Sequence, residues 1–293
     1  MTSSQIVLRT PTSPPSRQLI ASGIDVLRWH RAEAGCRTVA QYRFAMAKSD
    51  VVLLHGWMME PSLWAHQEEA LADGMRPHAV IQPGHGVAVS RLPQHATMQE
   101  WTAWFARELD GRAISDAVVV GHGIGGLVAQ EMWRRSPERV KALVLISTLD
   151  EAWSEDQRAT LEALSDAVLD WNAETAARVS SALIGAGFLS GHADWIEDWR
   201  EQVARTYDLS VVRELGRLAA AHDDYRANSE SIRVPTLVIN GGADSMVAVE
   251  RARAMADRIP DARFVEIAES GHAPPLEHPQ AVSDALVEFT AGL

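Results

Sequence analysis

A mostly parallel α/β sheet of about eight strands, with helices on both faces and one inserted helical segment, is the fold class predicted here. Three observations carry it. Short apolar runs of the buried-strand kind recur along the chain. Helical patterns separate them, and strand alternating with helix builds a parallel sheet. The alternation then breaks once, over Leu149–Arg233, where strand signals nearly vanish.

Each element has its own reason. Met1–Arg17 is rich in Ser, Thr and Pro and lacks the apolar run of a signal peptide, so residues 1–20 read as a flexible arm. Ile24–Trp29 and Thr38–Met46 alternate and carry β-branched or aromatic residues, which predicts an antiparallel pair at a sheet edge. The buried runs follow at Val51–Leu54, Ala79–Ile81, Ala117–Val120, Ala142–Ile146, Thr236–Ile239 and Arg263–Ile267. Helical patterns occupy Met98–Leu109, Gly125–Arg135, Ala248–Ile259 and Ala281–Thr290. Residues 149–233 are full of Ala, Glu, Arg and Leu and hold four of the ten tryptophans, Trp153, Trp171, Trp195 and Trp199. Strand signals resume at Pro235, so this segment reads as a helical cap inserted in a core of residues 21–148 and 234–293.

Composition bounds the rest. With 293 residues, 46% apolar and 23% charged, the chain is ordinary globular protein and has ample length to bury a core. A net charge of −12 repels nucleic acid and anionic membranes, and neither is expected as a partner. No stretch approaches the roughly 18 apolar residues of a membrane helix. The single cysteine, Cys36, excludes an intrachain disulfide and fits a reducing compartment, so a cytoplasmic location is expected. Eleven histidines include no H-E-x-x-H pair, and one cysteine builds no structural zinc site; neither metal nor cofactor is expected.

Three punctuated sites stand at strand ends, where open α/β sheets bind their ligands. They are His55-Gly56-Trp57, then Gly121-His122-Gly123-Ile124-Gly125-Gly126, then the pair Gly241-Gly242-Ala243-Asp244 and Ser270-Gly271-His272. An acid and a histidine past successive late strands suit acyl transfer, the carboxylate orienting the imidazole and stabilising its protonated form. Gly121-x-Gly123-x-x-Gly126 also matches a dinucleotide fingerprint, with Asp150 downstream. That fingerprint belongs to the first βα turn of its fold, however, and at least four strand signals precede this one.

LLHGW (Leu53–Trp57), GHG (Gly84–Gly86), VVVGHGIGGLVAQ (Val118–Gln130), VPTLVINGGAD (Val234–Asp244) and SGHAPPLEHP (Ser270–Pro279) follow one another in the order of the α/β-hydrolase fold family. The chain resembles that family from about Ile24 to Phe289, in its capped, esterase- or lactonase-like form. The resemblance implies Asp244 as acid, His272 as base, and the backbone amides of Trp57 and Ile124 as the oxyanion hole. It also implies a small apolar substrate, an ester, lactone or ketone, bound beside His55, Trp57, His122 and Trp153. Asp150, at the end of an earlier strand, is the reserve acid.

The departure lies at the nucleophile. The family elbow reads G-x-S-x-G, and the same frame here is Gly121, His122, Gly123, Ile124, Gly125. Glycine at 123 tolerates an elbow's backbone angles but supplies no hydroxyl, so acyl-enzyme chemistry is closed to this sequence as written. His122 is a poor replacement, because the residue before the nucleophile points away from the pocket in this family. The loop before Gly84-His85-Gly86 is also shorter than usual, Pro83 meeting Gly84 directly. Three functions remain open: an ester or lactone hydrolase seen without its nucleophile, a native enzyme using His272–Asp244 as general base without a covalent intermediate, and a non-catalytic small-molecule receptor. Oligomeric state is not legible.

Overall fold

Valine-rich runs bounded by polar turns make six strands in the computed structural model, which describes residues 48–86 and 96–293. They are β1 (Asp50–Leu54), β2 (Arg76–Val80), β3 (Ala117–His122), β4 (Val140–Ile146), β5 (Thr236–Gly241) and β6 (Arg263–Ile267). All five pairings are parallel, in the order β2-β1-β3-β4-β5-β6. β3 and β5 are buried along their whole length, as a strand covered on both faces must be, while β2 and β6, the outermost of the described strands, are half-exposed. The expected strands over 24–29 and 38–46, the arm and Cys36 lie outside the described residues.

The core helices are α1 (Ala65–Leu71), α2 (Met98–Gly111), α3 (Ile124–Arg135), α10 (Val249–Arg258), α11 (Pro274–Glu277) and α12 (Pro279–Thr290). Between β4 and β5 the chain is helical: α4 (Glu155–Ala167), α5 (Ala173–Leu183), α6 (Ala186–Gly191), α7 (Ala193–Thr206), α8 (Leu209–Ala220) and α9 (Arg226–Ser229). Local chemistry starts them where they start. Thr97 and Glu100 form a reciprocal capping box on α2, Ser154 and Gln157 do the same on α4, and Asn172 and Asp208 cap α5 and α8. No helix of the described residues is long and apolar enough to cross a membrane.

Two expectations shift. The second strand begins at Arg76, ahead of the apolar residues that announced it, because pairing with β1 recruits its exposed, polar start. α1 was not expected; Gln67 and Leu71 anchor it against α12, and the Gln67 amide donates to the Pro279 carbonyl at 3.0 Å.

The topology places the site. The strand order reverses between β1 and β3, and the loops leaving their carboxyl ends flank that crevice. Asp150, past the end of β4, is drawn elsewhere. It is fully buried, and Arg258 on α10 grips both its oxygens, Nε to Oδ2 at 2.9 Å and Nη2 to Oδ1 at 2.5 Å. The reserve acid is therefore a structural carboxyl group joining the β4 end to α10.

A buried carboxylate that loses its partner keeps its desolvation cost. Arg258→Ala is expected to lower unfolding stability by about 3 kcal/mol in a urea titration, and Asp150→Asn to recover part of that loss in the double variant.

Candidate active site

β3 runs straight into the turn that matters. Gly121 packs so tightly against the start of α3 that a Cβ there would lie 2.3 Å from the Gly125 carbonyl oxygen. Gly125 in turn presses on Leu54, where a Cβ would fall 2.4 Å from the carbonyl oxygen. These contacts force a sharp strand-to-helix reversal, and Gly123 absorbs it at φ +53°, ψ −117°. The Gly123 N–H donates to the Ile146 carbonyl at 2.9 Å. Unlike its neighbours, Gly123 has room. A Cβ built on it would sit 3.4 Å from Nε2 of His272, in ordinary contact.

His272 and Asp244 meet from successive loops. His272 Nδ1 donates to the Asp244 carboxylate, 3.0 Å from Oδ2 and 3.1 Å from Oδ1. Asp244 Oδ1 also accepts the amides of Met246 (2.8 Å) and Val247 (2.9 Å). The histidine loop is tied from its far side by Glu277, whose carboxylate accepts the Gly271 N–H at 2.6 Å and the Ala273 N–H at 2.9 Å. Glu277 lies within a motif of the sequence, yet nothing in its spacing announced this work.

Four buried histidines crowd the region, and their environments sort them. Burial pushes His122 down to about 3 and His85 to about 4, and holds His55 well below its usual value, so all three stay neutral near pH 7. His272 is different. Burial alone would lower it, but the Asp244 carboxylate and the charge of Glu277 outweigh that cost and raise it above 6.5. Burial likewise opposes the ionised form of Asp244, and the facing imidazole with the two amides reverses the balance, leaving its pKa lowered.

The pocket above this pair has a volume of about 50 Å³ and a mainly apolar wall. Trp57, His122, Gly123, Ile124, Trp153 and His272 all line it. The Trp57 indole N–H donates to the Val212 carbonyl on α8 at 2.8 Å, and that of Trp153 to Ala219 at 3.1 Å. Among the described residues no protein acceptor takes the Trp57 or Ile124 amide. His122 lines the pocket rather than pointing away, while its Nε2–H is given to the His272 carbonyl at 2.7 Å. His55 does not line it. Its ring bridges the Gly56 carbonyl and the Gln82 amide, so it braces the loop after β1 instead of meeting a ligand. His85 does similar work, its Nε2 accepting the Met58 amide at 3.1 Å. Among the lining or adjacent residues that escaped sequence reasoning are Ser147, buried at φ +48°, and Met58 at φ +60°. Backbone strain at such residues leaves no compositional trace.

Because its folded pKa is raised, His272 adds stability that is fully present below about pH 6.5 and is lost as pH rises through the folded value. Removing the carboxylate leaves burial opposed only by the more distant charge of Glu277. Asp244→Asn is expected to move the His272 titration, followed by ¹⁵N imidazole NMR, from above 6.5 to below it.

The family model of the "Alpha/beta hydrolase family" matches residues 51–285. A pimeloyl-[acyl-carrier protein] methyl ester esterase of Aromatoleum aromaticum is 31% identical over 84% of this chain and 100% of its own length. One from Chromobacterium violaceum is 33% identical over 82% of this chain and 93% of its own. Among solved structures, a thermophilic esterase from Thermogutta terrifontis superposes with a TM-score of 0.76 at 26% identity, covering 83% of this chain and 90% of that one. Family model, relatives and fold agree, and this chain belongs to the alpha/beta hydrolase family of enzymes.

Proposed function

We propose that the pocket is built to hydrolyse an ester or lactone of a small apolar molecule, and that Gly123 stands where the nucleophile of such a site would be. The observation that carries this reading is the space at Gly123: the other glycines of the turn, Gly121, Gly125 and Gly126, have no room for a Cβ, whereas here the open direction leads to His272 Nε2. The small apolar wall supports a small acyl or alkoxy group, and relatives named as methyl ester esterases support an ester. Their carrier-bound substrate is not part of the proposal.

In this reading Asp244 accepts a hydrogen bond from Nδ1–H of His272 and thereby keeps the Nε2 lone pair toward position 123. With serine at 123, Nε2 would take the hydroxyl proton as Oγ bonds to the carbonyl carbon. The oxygen charge that develops would be received by the Trp57 and Ile124 amides. The C–O bond to the alkoxy group then breaks, and the proton passes from Nε2 to the leaving alcohol. Water repeats the sequence and frees the acid. Without that hydroxyl, His272 has only water to deprotonate, and direct attack by water forgoes the covalent step.

Gly123→Ser is expected to raise ester hydrolysis by about 10³-fold or more, since the catalytic groups act as a unit, and to create labelling by a fluorophosphonate. It is also expected to lower stability by about 1–2 kcal/mol, because a side chain at φ +53° is strained. The opposite result, turnover that falls in the serine form and vanishes in His272→Ala, would mean that glycine is the working residue and water the nucleophile. A pocket that binds ligand while neither form turns over would make the chain a receptor.

A further inference from the structure

A second cavity, of about 190 Å³, lies beyond Met59, which is part of the wall of both. Its chemistry is unlike the first. Glu60 and Asp198 bring two carboxylates, Trp195 and Trp199 an aromatic wall, and Tyr207 a phenol. Among the described residues no Lys, Arg or His lines it.

Each part has a reason to be there. The Trp195 and Trp199 rings stack with centroids 5.5 Å apart and planes 12° from parallel, and the Trp199 indole N–H is fixed on the Met58 carbonyl at 3.0 Å. The aromatic wall is therefore rigid. Ser62 Oγ donates to Glu60 Oε1 at 3.0 Å, which orients that carboxylate and leaves Oε2 free of this bond. The Tyr207 hydroxyl has no hydrogen-bond partner among the described residues. Burial together with the Glu60 charge raises its pKa, so it remains a neutral phenol beside an anion. Residues 149–233, which supply half of this wall, carry 17 acidic against 8 basic side chains. The field over the cavity thus favours cations.

Carboxylates without a base, set around fixed indole faces, make the arrangement that receives an alkylated ammonium: the rings take its polarised methyl groups and the carboxylates its charge. We propose that this cavity binds a small organic ammonium ion. An inorganic cation would gain little from the indoles, and a neutral ligand would leave both carboxylates unused. The inference stands apart from the hydrolase reading, since binding here is measured without turnover.

Calorimetric titration of the full chain with choline, and with its neutral isostere 3,3-dimethylbutan-1-ol, tests it. Choline is expected to bind at least tenfold more tightly than the alcohol, and its affinity to fall with added salt. Asp198 is exposed and Glu60 half-exposed, so Asp198→Asn and Glu60→Gln are expected to keep the fold. Each is expected to weaken choline about fivefold while leaving the alcohol unchanged. Equal affinities for choline and the alcohol, no binding of choline, or choline binding indifferent to both carboxamide variants would overturn the proposal.

Discussion

Burying a carboxylate costs several kcal/mol unless its oxygens are taken up, and the rim of this sheet is arranged around doing so for Asp244. Two amides of its own loop and one imidazole N–H satisfy it. The imidazole reaches it because the loops after β5 and β6 touch: a Cβ on Gly241 would lie 2.1 Å from the Gly271 carbonyl oxygen. Glu277 then pins the second loop by two amides. The direction of His272 Nε2 is thus imposed from behind, by backbone donors and a carboxylate. None of this support uses a side chain at position 123, so the orientation of the imidazole does not depend on what stands there.

The same logic separates histidines that look alike in the sequence. His55 and His122 each stand beside glycine at the end of a buried strand, and both read as ligand contacts. Only His122 lines the pocket, and what distinguishes them is a partner far along the chain. Gln82 holds the first, and the carbonyl of His272, 150 residues on, holds the second. Both rings are kept neutral by burial, which leaves His272 alone among the four with a raised affinity for a proton.

Much of this fold was legible because buried parallel strands are written as apolar runs, and turns at their ends as glycine. The six strands of the described residues each overlap a run read from the sequence, and the stretch between β4 and β5 announced its helices by composition. What stayed hidden depended on three dimensions. The polar start of β2 is recruited by pairing with β1. Asp150 looked free to serve as an acid until Arg258, 108 residues away, took its charge. The strained backbone at Met58 and Ser147 follows from how neighbouring strand ends are packed and has no signature in residue type.

Two indole hydrogen bonds, Trp57 to Val212 and Trp199 to Met58, stitch the turn after β1 to helices α7 and α8. Trp57 lines the pocket, so its placement there is borrowed from those helices. Any excursion of α7 and α8 large enough to admit a bulky molecule must strain or break those stitches.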